Sequence, residues 1–396
     1  MSTVTTTGQP HTMRSNRLPI GVYLLAFSLF AMGSAEFLMA GVLPAVATDL
    51  DIPLASAGWL ITAFALGVVL GGPPFAVLSL HWPRRTALLA TQLVFAAAVV
   101  VGLLTDHWVL LITRFVSGLA YAGFFAVAAV TAISLVTPDR TARASGVVVS
   151  GLSVAMVAGG PAGTLLSHLT DWRGGFWGVA VLTVAGTIAC ALGLPVTKSA
   201  TKPSLPREFA TMRSPRLWGA FAITILSTAA YMISFNYLAA VLSDVARIPQ
   251  VWIPAILALF GIGAFVGLSI GGRISDRRPH YALLIGAVGI ALLSALLAGF
   301  AGHPTAVVPI VFLLGIAAFV LNPAIYGRVF TIAADAPTIA GATTVSAFQL
   351  GISLTPVFAA AAFELDAPIT SVSWIGAILA LITIPLIFLD RPRRAT

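Results

Sequence analysis

Two ionisable side chains stand deep inside apolar stretches of this 396-residue chain, Glu36 and Arg114. A charge at membrane depth costs about 2.5–3.5 kcal/mol even on permissive insertion scales, so such a group faces a cavity or a partner. Glu36 lies roughly eight residues from the far end of its apolar run and Arg114 roughly six from the same side of its own, about 12 Å against 9 Å at 1.5 Å per residue. That arithmetic predicts that the two meet in one bundle. Desolvation and a nearby cation act on a carboxyl group in opposite senses. A change in their separation would therefore let Glu36 load and release a proton. The bland alternatives are a static salt bridge for Glu36 and a structural tie to backbone carbonyls for Arg114, whose guanidinium has five donors to place. Paired carboxylates and His-rich metal spacings are missing from the spans, and the histidines sit at loops or in the first residues, which argues against an embedded enzyme.

The elements that must position these groups are membrane helices. Hydrophobic residues make up 59% of the chain and charged residues 9%, far from the composition of a soluble domain. A span needs about 20 mostly apolar residues. The runs read as helices near 19–44, 56–80, 85–104, 108–134, 142–167 and 174–194, then 217–242, 251–273, 280–301, 305–330, 338–363 and 369–389. The expected organisation is a tail over 1–18, a six-helix bundle over 19–194, a polar connection over 195–216, a second six-helix bundle over 217–390 and a tail over 391–396. The first span is expected to act as its own uncleaved signal.

The net charge of +8 comes from basic residues scattered singly or in small groups at the ends of the runs, which marks topology rather than nucleic-acid binding. With the N-terminus placed in the cytoplasm, Arg84, Arg85, Arg140, Arg143, Arg273, Arg277, Arg278 and Arg328 fall inside, together with the cations of both tails and of the central connection; only Arg173 and Arg247 fall outside. The sole cysteine, Cys190, rules out an intramolecular disulfide. The two halves resemble each other at a displacement of about 195–200 residues: Ser34 to Ala40 matches Ser234 to Ala240, and Pro161 recurs as Pro356. That register sets Asn236 opposite Glu36, and Asn236 is expected to face a cavity.

Three strips carry further information. The fourth span reads Arg114-Phe-Val-Ser-Gly118, the fifth ends in Gly159-Gly160-Pro161-Ala-Gly163, and the eighth is followed by Gly272-Arg273-Ile-Ser-Asp276-Arg277-Arg278. Glycines admit a close neighbour and Pro161 loosens the backbone ladder, so the second strip serves packing, gating or both. The first-half counterpart of the third strip, Ser79 to Arg85, keeps the arginines and lacks the acid. With Gly33-Ser34-Ala35-Glu36-Phe37-Leu38, these strips make the chain resemble the twelve-span drug:proton antiporters of the major facilitator superfamily, and most of all the chloramphenicol exporters of actinobacteria.

That resemblance implies an all-α fold of two pseudo-symmetric six-helix bundles in a bacterial inner membrane, both termini cytoplasmic, acting as a monomer. It implies proton coupling at Glu36 and Arg114, with no cofactor besides protons and no metal. It implies gating at Gly159, Gly160, Pro161 and Gly163, and a cytoplasmic latch involving Gly272, Asp276 and Arg277, for which a merely solvated Asp276 is the alternative. The substrate is expected between the halves, among residues of the first, fourth, seventh and tenth spans: Phe30, Met32, Phe37, Tyr121, Phe125, Tyr231, Phe235, Asn236, Tyr237 and Asn322. An aromatic, Met-containing set with few polar anchors suits a neutral or weakly charged amphiphile. A sugar or metabolite efflux carrier is the alternative within the superfamily, and a non-transporting scaffold or receptor the alternative outside it.

Overall fold

The computed structural model describes residues 18–78, 82–137, 140–195, 211–334 and 337–390. The N-terminal tail as far as Arg17, residues 79–81 with His81, most of the central connection including Lys198, Lys202, Arg207 and Glu208, and the C-terminal tail from Arg391 lie outside the described residues. Among the described residues the chain is helical without strands, and twelve helices are long and apolar enough to cross a membrane. Most backbone polar groups then find partners within their own helix, which lipid requires.

In chain order the first half comprises α1 (Ile20–Asp49), α2 (Leu54–Leu78), α3 (Arg84–Leu103), α4 (His107–Ser134), α5 (Thr141–Val154, a π-helical turn Ala155–Gly159, then Gly160–Leu169) and α6 (Trp172–Gly193). The second comprises α7 (Pro215–Asn236, continuing to Val245), α8 (Ile253–Ser275), α9 (Pro279–Gly299), α10 (Pro304–Val320, then Asn322–Ile332), α11 (Pro337–Phe363) and α12 (Ser371–Leu389). Most boundaries fall within three residues of the hydropathy reading. The exception is α1, which runs through Pro44 to Asp49 rather than stopping at 44. Its last turn is polar, so a hydropathy window ends early, while the backbone continues until Asp51 turns left-handed at φ 51°.

The internal repeat has a structural counterpart at the helix crossings. A Cβ on Gly67 would lie 3.0 Å from the Cα of Gly118, where α2 crosses α4; a Cβ on Gly315 would lie 3.2 Å from the Ala264 nitrogen, where α10 crosses α8 beside Gly263. Gly67 and Gly263 are 196 residues apart and Gly118 and Gly315 are 197 apart, so the same close approach occurs once in each half at the same register. Helices can touch this closely only where no side chain intervenes. Large apolar side chains such as Val181, Leu192, Leu292 and Ile378 remain exposed on the flanks, the surface a bilayer covers.

The halves meet between α1 and α7, where Phe37 meets Phe235, and along two further seams. Along α2 and α11, Thr62 Oγ1 donates to the Ser353 carbonyl at 2.9 Å and Ser346 Oγ donates to the Val69 carbonyl at 3.1 Å, so this seam holds over much of its length. Between α5 and α8 the contact is local: a Cβ on Gly261 would lie 2.8 Å from Val157 Cα and 3.0 Å from the Met156 carbonyl oxygen. Toward the arginine-rich ends of α5 and α8, a cavity opens.

Candidate functional site

The carboxylate of Glu36 does not form the expected ion pair. Among the described residues no Glu36–Arg114 contact falls within salt-bridge distance, and Glu36 Oε1 instead accepts from Gln349 Nε2 of α11 at 2.8 Å. The reason lies in the longer first helix. Glu36 is thirteen residues from Asp49, whereas Arg114 is seven from His107, about 20 Å against 10 Å along their helices. Arg114 therefore reaches the neighbouring carbonyl of Ala35 at 3.4 Å and that of Leu60 at 3.3 Å. Its guanidinium also lies over the rings of Phe64 at 4.6 Å and Phe176 at 5.7 Å. Four helices of the first half, α1, α2, α4 and α6, thus converge on one buried cation.

Between the halves lies a cavity of about 330 Å³ walled by Phe37 of α1, Val149, Leu152, Ser153 and Met156 of α5, Gly261, Ala264, Phe265 and Leu268 of α8, and Phe319, Asn322, Pro323 and Tyr326 of α10. Of the ten expected binding residues, Phe37 and Asn322 line it. The other eight are not among its lining residues. Phe30 lies against Phe27 at 6.1 Å, and Met32 is fully buried. Tyr121 sits between Phe64 and Phe125, at 5.7 and 6.5 Å, and Tyr231 packs on Phe319 at 5.5 Å. Phe235 stacks on Phe260 at 4.6 Å and meets Phe37 edge-on at 6.4 Å, while Tyr237 meets Phe363 at 5.8 Å. Asn236 is buried and donates through Nδ2 to Thr355 Oγ1 at 2.8 Å.

The walls come from α5 and α8 where α4 and α7 were expected. Tyr326 and Phe319 carried a readable signal: they stand four residues after and three before Asn322, one turn to either side on the same helical face. Met156 and Phe265 carried none, because the walls of a void depend on how the helices rotate against one another.

The glycine strip of α5 has two neighbours. A Cβ on Gly160 would lie 2.8 Å from Phe37 Cβ and one on Gly163 3.0 Å from Leu38 Cδ1, so this face seats α1; Gly159 abuts Ser34. Within the π turn the Gly160 N–H donates to Ala155 O, and Pro161, which lacks an N–H, leaves the next carbonyl, Met156, free to point at Gly261 of α8. Gly272 faces open space. Among the described residues the Asp276 carboxylate makes no ion pair or hydrogen bond, and the Arg277 N–H donates to the Ile274 carbonyl within its own turn. The charge contact at that end lies elsewhere, where Arg328 of α10 pairs with Asp390 after α12 and approaches His280 Nε2 at 3.3 Å.

Two six-helix halves around a shared cavity, with embedded polar groups at their contact, define a polytopic membrane carrier and not an enzyme. The chain belongs to the Major Facilitator Superfamily, whose sequence profile matches residues 25–356. It is 41% identical over 348 residues to a chloramphenicol resistance protein of Streptomyces lividans, covering 87% of this chain and 89% of that one. It is 27% identical over 360 residues to a chloramphenicol efflux pump of Mycobacterium tuberculosis, covering 88% and 86%. The fold matches that of the nucleoside transporter NupG with a TM-score of 0.76 over 94% of this chain and 99% of that one, at 14% identity.

Proposed function

We propose that the protein exports a small neutral or weakly charged amphiphile of the chloramphenicol type in exchange for protons, by exposing its cavity alternately to the two sides of the bacterial inner membrane. The observation that carries the reading is the inter-half cavity itself. Its walls are aromatic and aliphatic, with Ser153, Asn322 and Tyr326 as sparse polar anchors and no carboxylate or basic group among the lining residues. Such a surface accepts an amphiphile and gives a strongly ionic solute no partner. The likeness to two chloramphenicol-related proteins agrees with it.

In this reading Glu36 takes up the proton, Arg114 biases it through the backbone it holds, and the π turn at Gly159 to Pro161 supplies the flexing point of α5. Both termini are cytoplasmic, the chain works as a monomer, and protons are its only coupling partner. The test is accumulation of labelled chloramphenicol in an efflux-deficient host expressing the protein. Accumulation is expected to fall and to be restored by a protonophore. Export that persists after collapse of the proton gradient would sink the antiport mechanism, and unchanged accumulation would sink the substrate.

A further inference from the structure

The two flanks on which the halves meet are unequal at the same depth. On one flank α2 and α11 stay shut: a Cβ on Gly58 would lie 2.9 Å from Pro356 Cβ and one on Gly72 2.9 Å from Ser346 Oγ. The bonds of Thr62 to Ser353 and of Ser346 to Val69 fall between these points. Gly72 is six residues from the arginine-rich end of α2, about 9 Å along the helix. On the other flank α5 and α8 touch where Gly261 meets Val157 and Met156, and then part.

The residues that line this parting recur at helical spacing. Gly146, Val149 and Ser153 follow one another on α5 at intervals of three and four, and Gly261, Phe265, Leu268 and Gly272 do so on α8. Val149, Ser153, Phe265 and Leu268 wall the cavity, while a Cβ on Gly146 or on Gly272 would meet nothing within 4 Å. The two stripes therefore bound a wedge, shut at Gly261 and widening toward the arginine-rich ends. Phe265 stands one turn beyond the glycine contact, has no ring partner among the described residues and is 58% exposed; Val149 across from it is 45% exposed. A bulky side chain at that position keeps the helices from closing as they do at Gly261.

The direction of the opening follows from the flank that stays shut. Two halves that rock apart to open a cavity straight to the aqueous side part on both flanks at that end. Here one flank is closed, so the opening faces sideways. Its depth is that of the hydrocarbon: Val149 is eight residues from Thr141 and Leu268 seven from Ser275, about 12 and 10 Å inside the helix ends. Water in a cleft walled by Val149, Phe265 and Leu268 finds few polar partners, whereas an amphiphile already dissolved in lipid exchanges one apolar neighbour for another. We infer that the cavity is loaded sideways, from the bilayer leaflet at the arginine-rich ends, through the cleft between α5 and α8. The solutes are then a class selected first by partition into lipid and only afterwards by the cavity walls. This rests on the export reading above and adds the route and the physical property that the route demands.

The experiment uses the full-length protein in nanodiscs and in proteoliposomes. Nitroxide labels are attached to Val149→Cys and Phe265→Cys singly, the native Cys190 being buried and out of reach. Their collisions with dissolved oxygen, which favours hydrocarbon, are compared with those of a water-soluble nickel chelate. Leu292→Cys on the lipid-facing flank and Glu364→Cys in the exposed connection before α12 are the references. The oxygen-to-nickel ratio at the two cleft positions is expected to match that at Leu292→Cys and to exceed that at Glu364→Cys by about tenfold, because a polar chelate is excluded from hydrocarbon. A ratio at Phe265→Cys like that at Glu364→Cys would make the cleft an aqueous mouth and overturn the proposal; Val149→Cys decides if Phe265→Cys does not fold. Transport then reads whether the cleft is used. Chloramphenicol palmitate, held in the bilayer by its acyl chain, is added to proteoliposomes that export labelled chloramphenicol. Its head can enter sideways while the chain stays in lipid, so export should fall several-fold, with methyl palmitate at the same content leaving it unchanged. Inhibition by the ester no greater than by methyl palmitate overturns the route. If the parent exports no chloramphenicol, the substrate reading falls and the collision ratio still decides whether the cleft opens to lipid; if it exports the drug and the ratio is aqueous, the route alone falls.

Discussion

The two halves share a scaffold and differ in their chemistry. The α2–α4 crossing at Gly67 and Gly118 recurs in the α8–α10 crossing at Gly263 and Gly315, yet the polar groups built on it diverge. The first half holds an embedded acid and an embedded cation, with Arg114 serving as the knot of four helices. In the second half the position matching Glu36 is Asn236, which is spent on Thr355, and α10 supplies cavity wall through Phe319, Asn322 and Tyr326. Duplication preserved what backbone packing demands, close approach at glycine. It left side chains free to diverge: the first copy keeps the embedded acid and cation, and the second has an amide bonded within its own half.

The largest effect that would break this comparison is at Glu36. Glu36→Gln keeps size and hydrogen bonding but cannot titrate, so uphill export should be lost and drug binding should lose its pH dependence while remaining measurable by equilibrium binding. A variant that still pumps against a gradient would make Glu36 structural and place coupling elsewhere. Next comes the single crossing where the halves touch along α5 and α8. Gly261→Val drives a branched side chain into Val157 and the Met156 carbonyl and should lower export at least tenfold in accumulation assays, whereas Gly272→Ala, facing open space, should leave it unchanged. Equal behaviour of the two would mean that the seam does not govern transport.

A smaller effect is expected in the second half. Tyr326→Phe removes one of the cavity's few polar groups, and the chloramphenicol affinity should fall several-fold, by about 1 kcal/mol for one hydrogen bond, with protonophore sensitivity intact. Loss of proton dependence in this variant would contradict the division of labour between the halves. Smallest is Asn236→Ala. Because Asn236 binds Thr355 and not the cavity, thermal unfolding should report a loss of about 1 kcal/mol and drug affinity should stay at the parent value. A clear drop in affinity would restore Asn236 to the cavity in another conformation.

Much of this was legible in the sequence. Lipid offers no partner to a bare backbone, so a crossing is either a helix or a strand of a closed barrel, and twelve apolar runs of helix length stand among the described residues. The cost of embedded charge singled out Glu36 and Arg114, and the glycine strips announced close contacts before any contact was known. What only the tertiary structure decided is which faces meet. In a soluble helix the apolar stripe reveals the buried side, but lipid is as apolar as the protein interior, so spans such as α2 and the Pro304–Val320 part of α10 are apolar nearly all round and their rotation cannot be read from periodicity. For that reason the cavity walls on α5 and α8 escaped notice. So did Gln349, whose bond to Glu36 joins residues 313 positions apart in the chain; it is a neutral side chain in the eleventh span, and no local spacing relates it to the first.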